Sequence, residues 1–516
     1  MKKSSIAFTV SLFLFAAAAQ AEVKPAALFT DHMVLQRDME VPVWGTAAPG
    51  EQVKVFFNGQ ALSTTAGADG KWIVHLAKLK AGGPFEMQIE GKNAITIHDV
   101  LVGEVWLATG QSNMVFTVSK KAQFFAGMLD EDKEIAAANY PQIHMYTEKT
   151  VKAYAPQDTA LGDWQVCSPQ TVGAFSAIGY LFARDLQQEL HVPIGIVTSA
   201  FGASTAESWL PREAFTSDPQ LKPLLDAFDA REAFFKNNPH ATAADAQPVP
   251  QTLNARPAAP RTGPLFDPAE NQHEPTVLFN GMLHPVIPYA VRGAIWYQGE
   301  SIVGGRAGVE LYPHVIEALV NSWRELWDEG EFPFYAVQLA PLRNVSNNPM
   351  VREQQARILS VPNTGLAVTI DVGDPDNVHP KDKEPVARRL ALIALAKTYG
   401  SKVEYSGPVY SSMKIEGKSI RIHFTHADGL TARGGPLAWF QIAGADRHFV
   451  DAGATIDGDT VIVKSPQVPD PVAVRYAWDN YPQGANLYNA AGLPAAPFRT
   501  DNWDALADIA KQFTGQ

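Results

Sequence analysis

The stretch GEVWLATGQSNMVF, residues 103–116, begins as an apolar run and ends in Gly-Gln-Ser-Asn-Met. The run EVWLAT (104–109) is typical of a buried strand, and a helix-like segment follows it. In open α/β sheets, ligands bind beyond the carboxyl ends of the strands, so the hydroxyl of Ser112 is predicted to stand at such a crevice. A serine before a helix is more often an N-cap than a nucleophile, so this position alone does not decide the chemistry.

The same rhythm of strand and helix continues through the middle of the chain. Helix-period segments, including AIGYLFARDLQQEL and EPVARRLALIALAKTYG, lie between or after the apolar runs. Buried strands that alternate with helices indicate a parallel sheet covered on both faces, which is an α/β fold. The further predicted strands are PIGIVTSA (193–200), RGAIWYQ (292–298), FPFYAVQLA (332–340) and GLAVTIDV (365–372).

Antiparallel β regions are predicted on both sides of this α/β part. Short alternating segments separated by Gly, Pro, Asn and Asp occupy residues 22–100, and the same pattern returns in residues 406–516. The α/β part is therefore assigned to residues 101–405. Residues 211–275 interrupt it with one helical piece and a Pro/Ala-rich tract, which is predicted to be a surface insertion.

The first 21 residues have the pattern of an export signal. Lys2 and Lys3 precede an apolar run, and Ala19-Gln20-Ala21 offers the small residues that a signal peptidase requires. The run is shorter than the ~20 residues of a spanning helix. The expectation is an exported protein, periplasmic or secreted, with no membrane contact after the signal is cleaved.

Charge and cysteine content exclude several classes of function. The formal net charge is -12, and loss of Lys2 and Lys3 would change it to -14. Phosphate-rich nucleic acid is therefore not expected as a partner. Cys167 is the single cysteine, which excludes an internal disulfide and disfavours a cysteine-based metal site.

The other strand ends supply the remaining parts of a serine esterase. Gly202 follows the strand at 193–200 and could bring a backbone N–H to an oxyanion, although a tight turn would also require glycine. Gln298 ends the strand at 292–298 and offers an amide donor, or a buried structural amide. After the strand at 365–372, Asp376 and His379 are three residues apart in DVGDPDNVHPKDK. That spacing lets a carboxylate orient an imidazole towards serine.

Long segments across nearly the whole mature chain resemble the sialate O-acetylesterase family of SGNH/GDSL-type carbohydrate esterases. The resemblance implies an SGNH-hydrolase three-layer parallel sheet with flanking antiparallel, jelly-roll or sandwich-like β regions. The segments that carry it are DHMVLQRD, VPVWGTAAPGE, VLVGEVWLATGQSNM, FSAIGYLFARDL, PIGIVTSAFGAS, NGMLHPVIPYAVRGAIWYQGES, DVGDPDNVHPKDK, VAVRYAW and NLYNAAGLPAAPFRTD.

The resemblance also implies roles for individual residues. Ser112 would be the nucleophile, Asp376 and His379 would complete the triad, and the oxyanion hole would combine the N–H groups of Ser112 and Gly202 with the Gln298 side chain. No metal or organic cofactor is needed, and the expected substrates are an acetylated oligosaccharide or sialoside and water. Two positions depart from the family pattern: Ala203 stands where a second glycine is frequent, and Ile302 stands where asparagine is usual.

Other titratable or polar residues near these motifs have weaker predicted roles. Asn113, Glu300 and His284 are candidates for supporting the catalytic residues or contacting the substrate. A divalent metal site at Asp371, Asp374, Asp376 and His379 is a less favoured interpretation, because nothing nearby completes the oxygen ligands that a hard cation requires.

Two other functional classes stay open from the sequence. Glu300 and Asp376 could act as the acid and base of a glycoside hydrolase, which would leave Ser112 without a purpose. The β regions and the aromatic residues Trp478 and Tyr488 could belong to a sugar-binding module, although such aromatics are more often core residues. Within the esterase interpretation, the acetylated sugar is either sialic acid or a plant hemicellulose such as xylan or xyloglucan.

Overall fold

The structure is a computed structural model that describes residues 22–238, 240–242, 266–302, 306–343, 345 and 347–504. The predicted export signal lies outside these residues, and so do residues 243–265 of the predicted insertion. In the described part of the chain, no helix has the length and apolar character that a bilayer crossing requires.

The first part of the described chain is built from strands, as the alternating sequence predicts. In Lys71–Leu76, for example, every second side chain is buried and the others are exposed. The strands are β1 (Lys24–Pro25), β2 (Val34–Gln36), β3 (Val41–Thr46), β4 (Gln52–Phe57), β5 (Gln60–Thr65), β6 (Lys71–Leu76), β7 (Gly82–Glu90) and β8 (Ala94–Gly110).

Strand β8 joins this β region to the central sheet. Its first half pairs antiparallel with β7 and parallel with β2. Its second half is buried along its whole length and continues without a break into the α/β part. The predicted boundary between residues 100 and 101 therefore falls inside one strand, and a single apolar cluster contains residues from both sides of it.

Helices and strands alternate in the central part. Helix α3 begins where the sequence predicts, because the Ser176 side chain accepts a hydrogen bond from the Gly179 N–H as its N-cap. The helices are α1 (Ser112–Val115), α2 (Glu131–Ala137), α3 (Ala177–Leu190), α4 (Arg212–Ser217), α5 (Lys222–Asn237), α6 (Arg306–Trp327), α7 (Asn348–Ala356) and α8 (Glu384–Lys397). The strands are β9 (Tyr140–Glu148), β10 (Gly162–Cys167), β11 (Ile194–Ala200), β12 (Gly293–Tyr297), β13 (Phe334–Val337) and β14 (Thr364–Ala367).

The central sheet has the order β10-β9-β11-β8-β12-β13-β14. All neighbours are parallel except the edge pair of β10 and β9. The predicted α/β class and parallel sheet are thus confirmed. After β8 the chain runs outwards on one side and later returns to form β12 on the other, so the end of β8 lies at the switch point where α/β sheets bind ligands.

Two apolar clusters cover the two faces of this sheet. Residues of α3 and α8 pack on one face. Residues of α6 and α7, together with the N-terminal β region, pack on the other. Since both faces are covered, the strands are apolar nearly throughout, and polar side chains gather at their ends.

The C-terminal part contains two four-stranded antiparallel sheets and a two-stranded one. Both four-stranded sheets contribute to one apolar cluster, as in a sandwich. Tyr488 donates a hydrogen bond to Asp371 at 3.1 Å, so this region packs on the loop that follows β14. Its strands are β15 (Val409–Glu416), β16 (Ser419–Thr425), β17 (Thr431–Ala432), β18 (Phe440–Ala443), β19 (Phe449–Asp451), β20 (Gly453–Asp457), β21 (Thr460–Lys464), β22 (Ala473–Tyr476), β23 (Leu487–Tyr488) and β24 (Phe498–Arg499).

A buried carboxylate in β8 ties three segments together. Glu104 has no exposed side-chain surface, and its oxygens lie 2.5 Å from Arg37 Nε and 2.7 Å from Arg292 Nε. Arg37 follows β2 and Arg292 precedes β12. The Glu104 side chain therefore holds the β region against the start of the central sheet.

Replacing this carboxylate tests its contribution to stability. Glu104→Ala leaves two arginines without their partner, so the free energy of unfolding should fall by about 3–5 kcal/mol, measured by thermal and denaturant unfolding. The matched control is Glu86→Ala, because Glu86 pairs with His98 at 2.9 Å on the surface and an exposed pair contributes less than about 1 kcal/mol. Equal losses in the two variants would contradict a structural role for Glu104.

Candidate active site

Ser112 lies directly beyond the carboxyl end of β8. Gly110 ends the strand with φ +128°, and a Cβ atom there would lie 2.2 Å from the Tyr297 carbonyl oxygen, so only glycine fits. Gln111 then precedes the one-turn helix α1, whose first residue is Ser112. This tight exit from the strand places the hydroxyl at the sheet's switch point.

His379 reaches Ser112 from the loop between β14 and α8. Its Nε2 atom lies 2.8 Å from the Ser112 Oγ atom, although 267 positions separate the two residues. The ring packs against Phe125, with the two ring centroids 4.8 Å apart. This geometry allows the hydroxyl to donate its hydrogen bond to a neutral imidazole, as a serine nucleophile requires.

The surroundings of His379 oppose its protonation. Burial is the larger cause and the positive charge of Lys383 the smaller, and together they lower the pKa of the imidazole to about 4. At neutral pH the ring is therefore uncharged and able to accept a proton.

Asp376 is not in contact with the imidazole in the structure. The residue is exposed, and its backbone N–H donates to Asp374 at 2.9 Å. Among the described residues, no hydrogen bond or ion pair joins the Asp376 carboxylate to His379. The loop is shaped instead by Asn377, whose side-chain oxygen accepts from the His379 N–H at 2.9 Å.

Gly202 lies beside Ser112. A Cβ atom built on Gly202 would lie 3.8 Å from the Ser112 Cβ atom. In the described chain, neither the Ser112 N–H nor the Gly202 N–H donates to another backbone carbonyl. Both N–H groups are thus available as oxyanion donors.

Gln298 is buried next to the same loop. Its Nε2 atom donates to the Ser204 carbonyl at 3.3 Å, which leaves its second N–H for another acceptor. Its Oε1 atom is buried without a hydrogen-bond partner among the described residues. A buried amide with unused capacity at a strand end is consistent with a substrate contact.

Ala203 and Ile302, the two departures from the family pattern, have different surroundings. Ala203 is exposed and has φ +56°, the left-handed conformation that glycine adopts without strain. Its carbonyl accepts from His273 Nε2 at 2.7 Å and from Ser301 Oγ at 3.2 Å, which holds this conformation. Ile302 is buried in the apolar cluster beneath the site.

Asn113 and Glu300, two of the predicted supporting residues, contact each other. The Asn113 amide donates to Glu300 Oε1 and, at 3.1 Å, to the Val378 carbonyl. Lys383, which the sequence analysis did not identify, donates to Asn113 Oδ1 at 2.6 Å. These three side chains form a network, called here the Lys383 network, which adjoins Ser112 through Asn113 and His379 through the Val378 carbonyl.

His284 has neighbours of its own. Its Nδ1 atom lies 2.8 Å from the Gln157 carbonyl, and its ring packs on Phe279. Within the described ranges, His284 makes no hydrogen bond, ion pair or ring contact with Ser112 or His379. His284 therefore does not lie beside Ser112, and its predicted substrate contact stays a prediction.

The residues considered for a metal site are engaged in other contacts. Asp371 receives two hydrogen bonds from Arg389, both at 2.7 Å. Asp374 accepts from the backbone N–H groups of Asp376 and Asn377. In the part of the chain that is described, no three His, Cys, Asp or Glu side chains are grouped to hold a metal ion.

The aromatic residues considered for sugar binding belong largely to the packed interior. Tyr488 is buried. Trp478 is half-buried, and the guanidinium of Arg499 lies 5.3 Å from its ring centroid. Neither is an open platform for a sugar ring.

Comparison with known proteins reveals similarity along most of the chain. Residues 278–395 match the family model described as SASA, a carbohydrate esterase that is a sialic acid-specific acetylesterase. Sialate O-acetylesterase from Mus musculus is 28% identical over 537 residues, which cover 92% of this chain and 93% of the relative. The Rattus norvegicus enzyme is 29% identical with the same coverage. A carbohydrate acetylesterase structure from Xanthomonas citri has 35% identity and a TM-score of 0.79, and the match covers 93% of this chain and 100% of that one.

The strained alanine provides a test of the site's backbone. Ala203→Gly relieves a left-handed conformation that costs about 1–2 kcal/mol, and the greater chain entropy of glycine offsets about 0.5–1 kcal/mol of this gain. The melting temperature should therefore rise slightly. Ala136→Gly, on the exposed face of α2, is the control and should lower it. A fall in both variants would show that Ala203 is not strained.

Proposed function

Since the chain belongs to the sialate O-acetylesterase family of carbohydrate esterases, we propose that it removes acetyl groups from sugar hydroxyls through an acetyl-enzyme on Ser112. The observation that carries this proposal is the 2.8 Å distance between His379 Nε2 and Ser112 Oγ at the switch point of the sheet. The predicted SGNH type of fold is part of the proposal, and the order of the central strands supports it.

The proposed reaction has two acyl-transfer steps. Ser112 Oγ attacks the acetyl carbonyl while His379 Nε2 takes the hydroxyl proton. His379 then gives this proton to the sugar oxygen, and the sugar departs with a free hydroxyl group. The acetyl group stays bound to Ser112 as an ester. In the second step His379 takes a proton from water, the water oxygen attacks the ester, and acetate departs as Ser112 recovers its proton.

Negative charge develops on the acetyl oxygen in both steps. The N–H groups of Ser112 and Gly202 and the free N–H of Gln298 are proposed to donate to it. Fixed donors of this kind stabilise the transition state more than the ground state, because they point to where the charge appears. The proposed mechanism uses only the pair Ser112 and His379. The predicted role of Asp376 as the third member of the triad stays a prediction, which the kcat of Asp376→Asn tests.

The substrate is proposed from the names of relatives and from charge. The mouse and rat relatives are named for sialate esters, so an O-acetylated sialoside is the first candidate. A neutral acetylated hemicellulose, xylan or xyloglucan, is the second, because a net charge of -12 disfavours an anionic sugar. Acetate release from a panel of the three substrate types, compared by kcat/KM, distinguishes them.

Export is proposed from the sequence of residues 1–21 alone. The mature protein would be periplasmic or secreted and would begin at Glu22. N-terminal sequencing of the protein recovered from its natural compartment tests this, and a retained Met1 would contradict it.

Two substitutions test the esterase chemistry. Ser112→Ala should abolish acetate release from the best substrate of the panel. Gln298→Ala should lower kcat by ~10²–10³-fold, the usual effect of losing one oxyanion donor. The control is Gln338→Ala, because Gln338 is equally buried at the end of the neighbouring strand β13.

The outcomes of these variants are distinct. Activity in Ser112→Ala would remove the serine from the mechanism. Equal losses in Gln298→Ala and Gln338→Ala would point to packing rather than to an oxyanion contact. Release of reducing sugar instead of acetate by the unmodified protein would favour the glycoside hydrolase interpretation.

A further inference from the structure

Lys383 is a buried cation whose position nothing in the proposed acyl transfer explains. Its side chain is 1% exposed. It also precedes the first turn of α8, where the helix dipole is positive and a cation is unfavourable. Burying a charge costs several kcal/mol unless partners compensate it. A residue kept at such a cost is a candidate for a role in the site.

The partners of Lys383 connect it to both halves of the catalytic pair. Its Nζ atom donates to Asn113 Oδ1 at 2.6 Å, and Asn113 is the residue after Ser112. The Asn113 amide donates in turn to the carbonyl of Val378, the residue before His379. One buried asparagine thus fastens helix α1 to the loop of His379, and the Lys383 hydrogen bond fixes its orientation.

Glu300 completes the network on the other side of Asn113. Its Oε1 atom accepts from the Asn113 amide, and its Oε2 atom is buried without a partner among the described residues. The rings of Phe116 and Tyr297 face Lys383 Nζ, with ring centroids at 4.3 and 5.9 Å. These aromatic rings cover Lys383. The charges of the network are therefore screened less than they would be in water, and they interact more strongly.

We propose that Lys383 is a positioning residue. By fixing Asn113, Lys383 keeps the side chains of Ser112 and His379 within hydrogen-bonding distance of each other. The inference rests on the proposed function, since it assigns a role in that same reaction. The ammonium group also opposes protonation of His379 and keeps it available as a base. Lys383 thus shares the orienting role of a triad aspartate, but its charge acts in the opposite direction, because an aspartate stabilises the protonated imidazole.

The pH dependence follows from the charges around His379. Among the described residues, Ser112, Phe116 and Phe125 contact the ring, and Lys383 is the charged group that acts on it. Burial lowers the pKa of Lys383 to about 7, so Lys383 is charged in the acid range where His379 titrates. Removing this charge raises the pKa of His379 from about 4 towards its ordinary value. The acid limb of kcat/KM should then move to higher pH, since the base form is lost earlier as pH falls.

The experiment uses the full chain and the hydrolysis of 4-nitrophenyl acetate, followed as acetate released. This ester needs no sugar recognition, so it reports the serine and histidine chemistry alone. Lys383→Met leaves Glu300 buried without its cation and is prone to misfold. The informative variant is therefore Lys383→Met with Glu300→Gln, which removes both charges, and its fold is checked by its melting temperature.

The double variant should shift the acid limb of kcat/KM upwards by on the order of one pH unit. Lys381→Met is the matched control, because Lys381 is an exposed lysine two residues away, and its acid limb should stay at the wild-type pH. An unchanged limb in the folded double variant, or an equal shift in Lys381→Met, would overturn the role of Lys383.

Asn113→Ala tests positioning separately from charge. It keeps Lys383 and Glu300 but removes the hydrogen bonds that fasten α1 to the His379 loop. We expect kcat to fall by about 10²-fold with little change in KM, as for a misplaced reacting group. An unchanged kcat would overturn the positioning role. If the unmodified protein hydrolyses the ester and Ser112→Ala does not, failure of these variants overturns only this inference; if Ser112→Ala retains activity, the proposed function fails instead.

Discussion

The hydrogen bond between Ser112 Oγ and His379 Nε2 depends on almost every layer of the molecule. The two residues are 267 positions apart in the sequence. Ser112 follows strand β8, and His379 lies in the loop that follows strand β14. Ser112 lies just beyond the carboxyl end of the central strand β8. Gly110 allows the chain to turn there, where any side chain would collide with the Tyr297 backbone. His379 is carried by the loop after β14, three strands away in the sheet. Because β8 and β14 run in the same direction in the sheet, their carboxyl ends lie on the same side of it.

The surrounding structure fixes this pair in position and protonation state. The C-terminal β region packs on the loop of His379 through Tyr488 and Asp371, and the Lys383 network joins the same loop to α1. Burial and the nearby cation favour the neutral imidazole, so the proposed base is unprotonated at neutral pH. The polar atoms that carry the chemistry sit at strand ends because the strand interiors are covered by apolar residues on both faces.

Local patterns predicted much of this arrangement. The helical period predicted α3, and the strands that precede Ser112, Gly202 and Gln298 are apolar runs bounded by turn residues. Strand β9 was not predicted, because its buried His144 depends on carbonyl groups of His32 and Pro141 rather than on an apolar pattern. Asn113 and Glu300 were predicted as supporting residues, but Lys383 was missed, because a lysine before a helix usually faces solvent and only the tertiary fold shows that this one is buried. The spacing of Asp376 and His379 predicted a contact that the loop does not make, because Asp374 and Asn377 determine its turns.

The most direct test of the central claim is to locate the reactive serine chemically. A fluorophosphonate that reacts with activated serines should label the protein at Ser112, as identified by peptide mapping, and labelling should be lost in His379→Ala at neutral pH. The Lys381→Met protein should label like the unmodified one. Labelling at a different residue, or labelling of Ser112 at an undiminished rate without His379, would contradict the account.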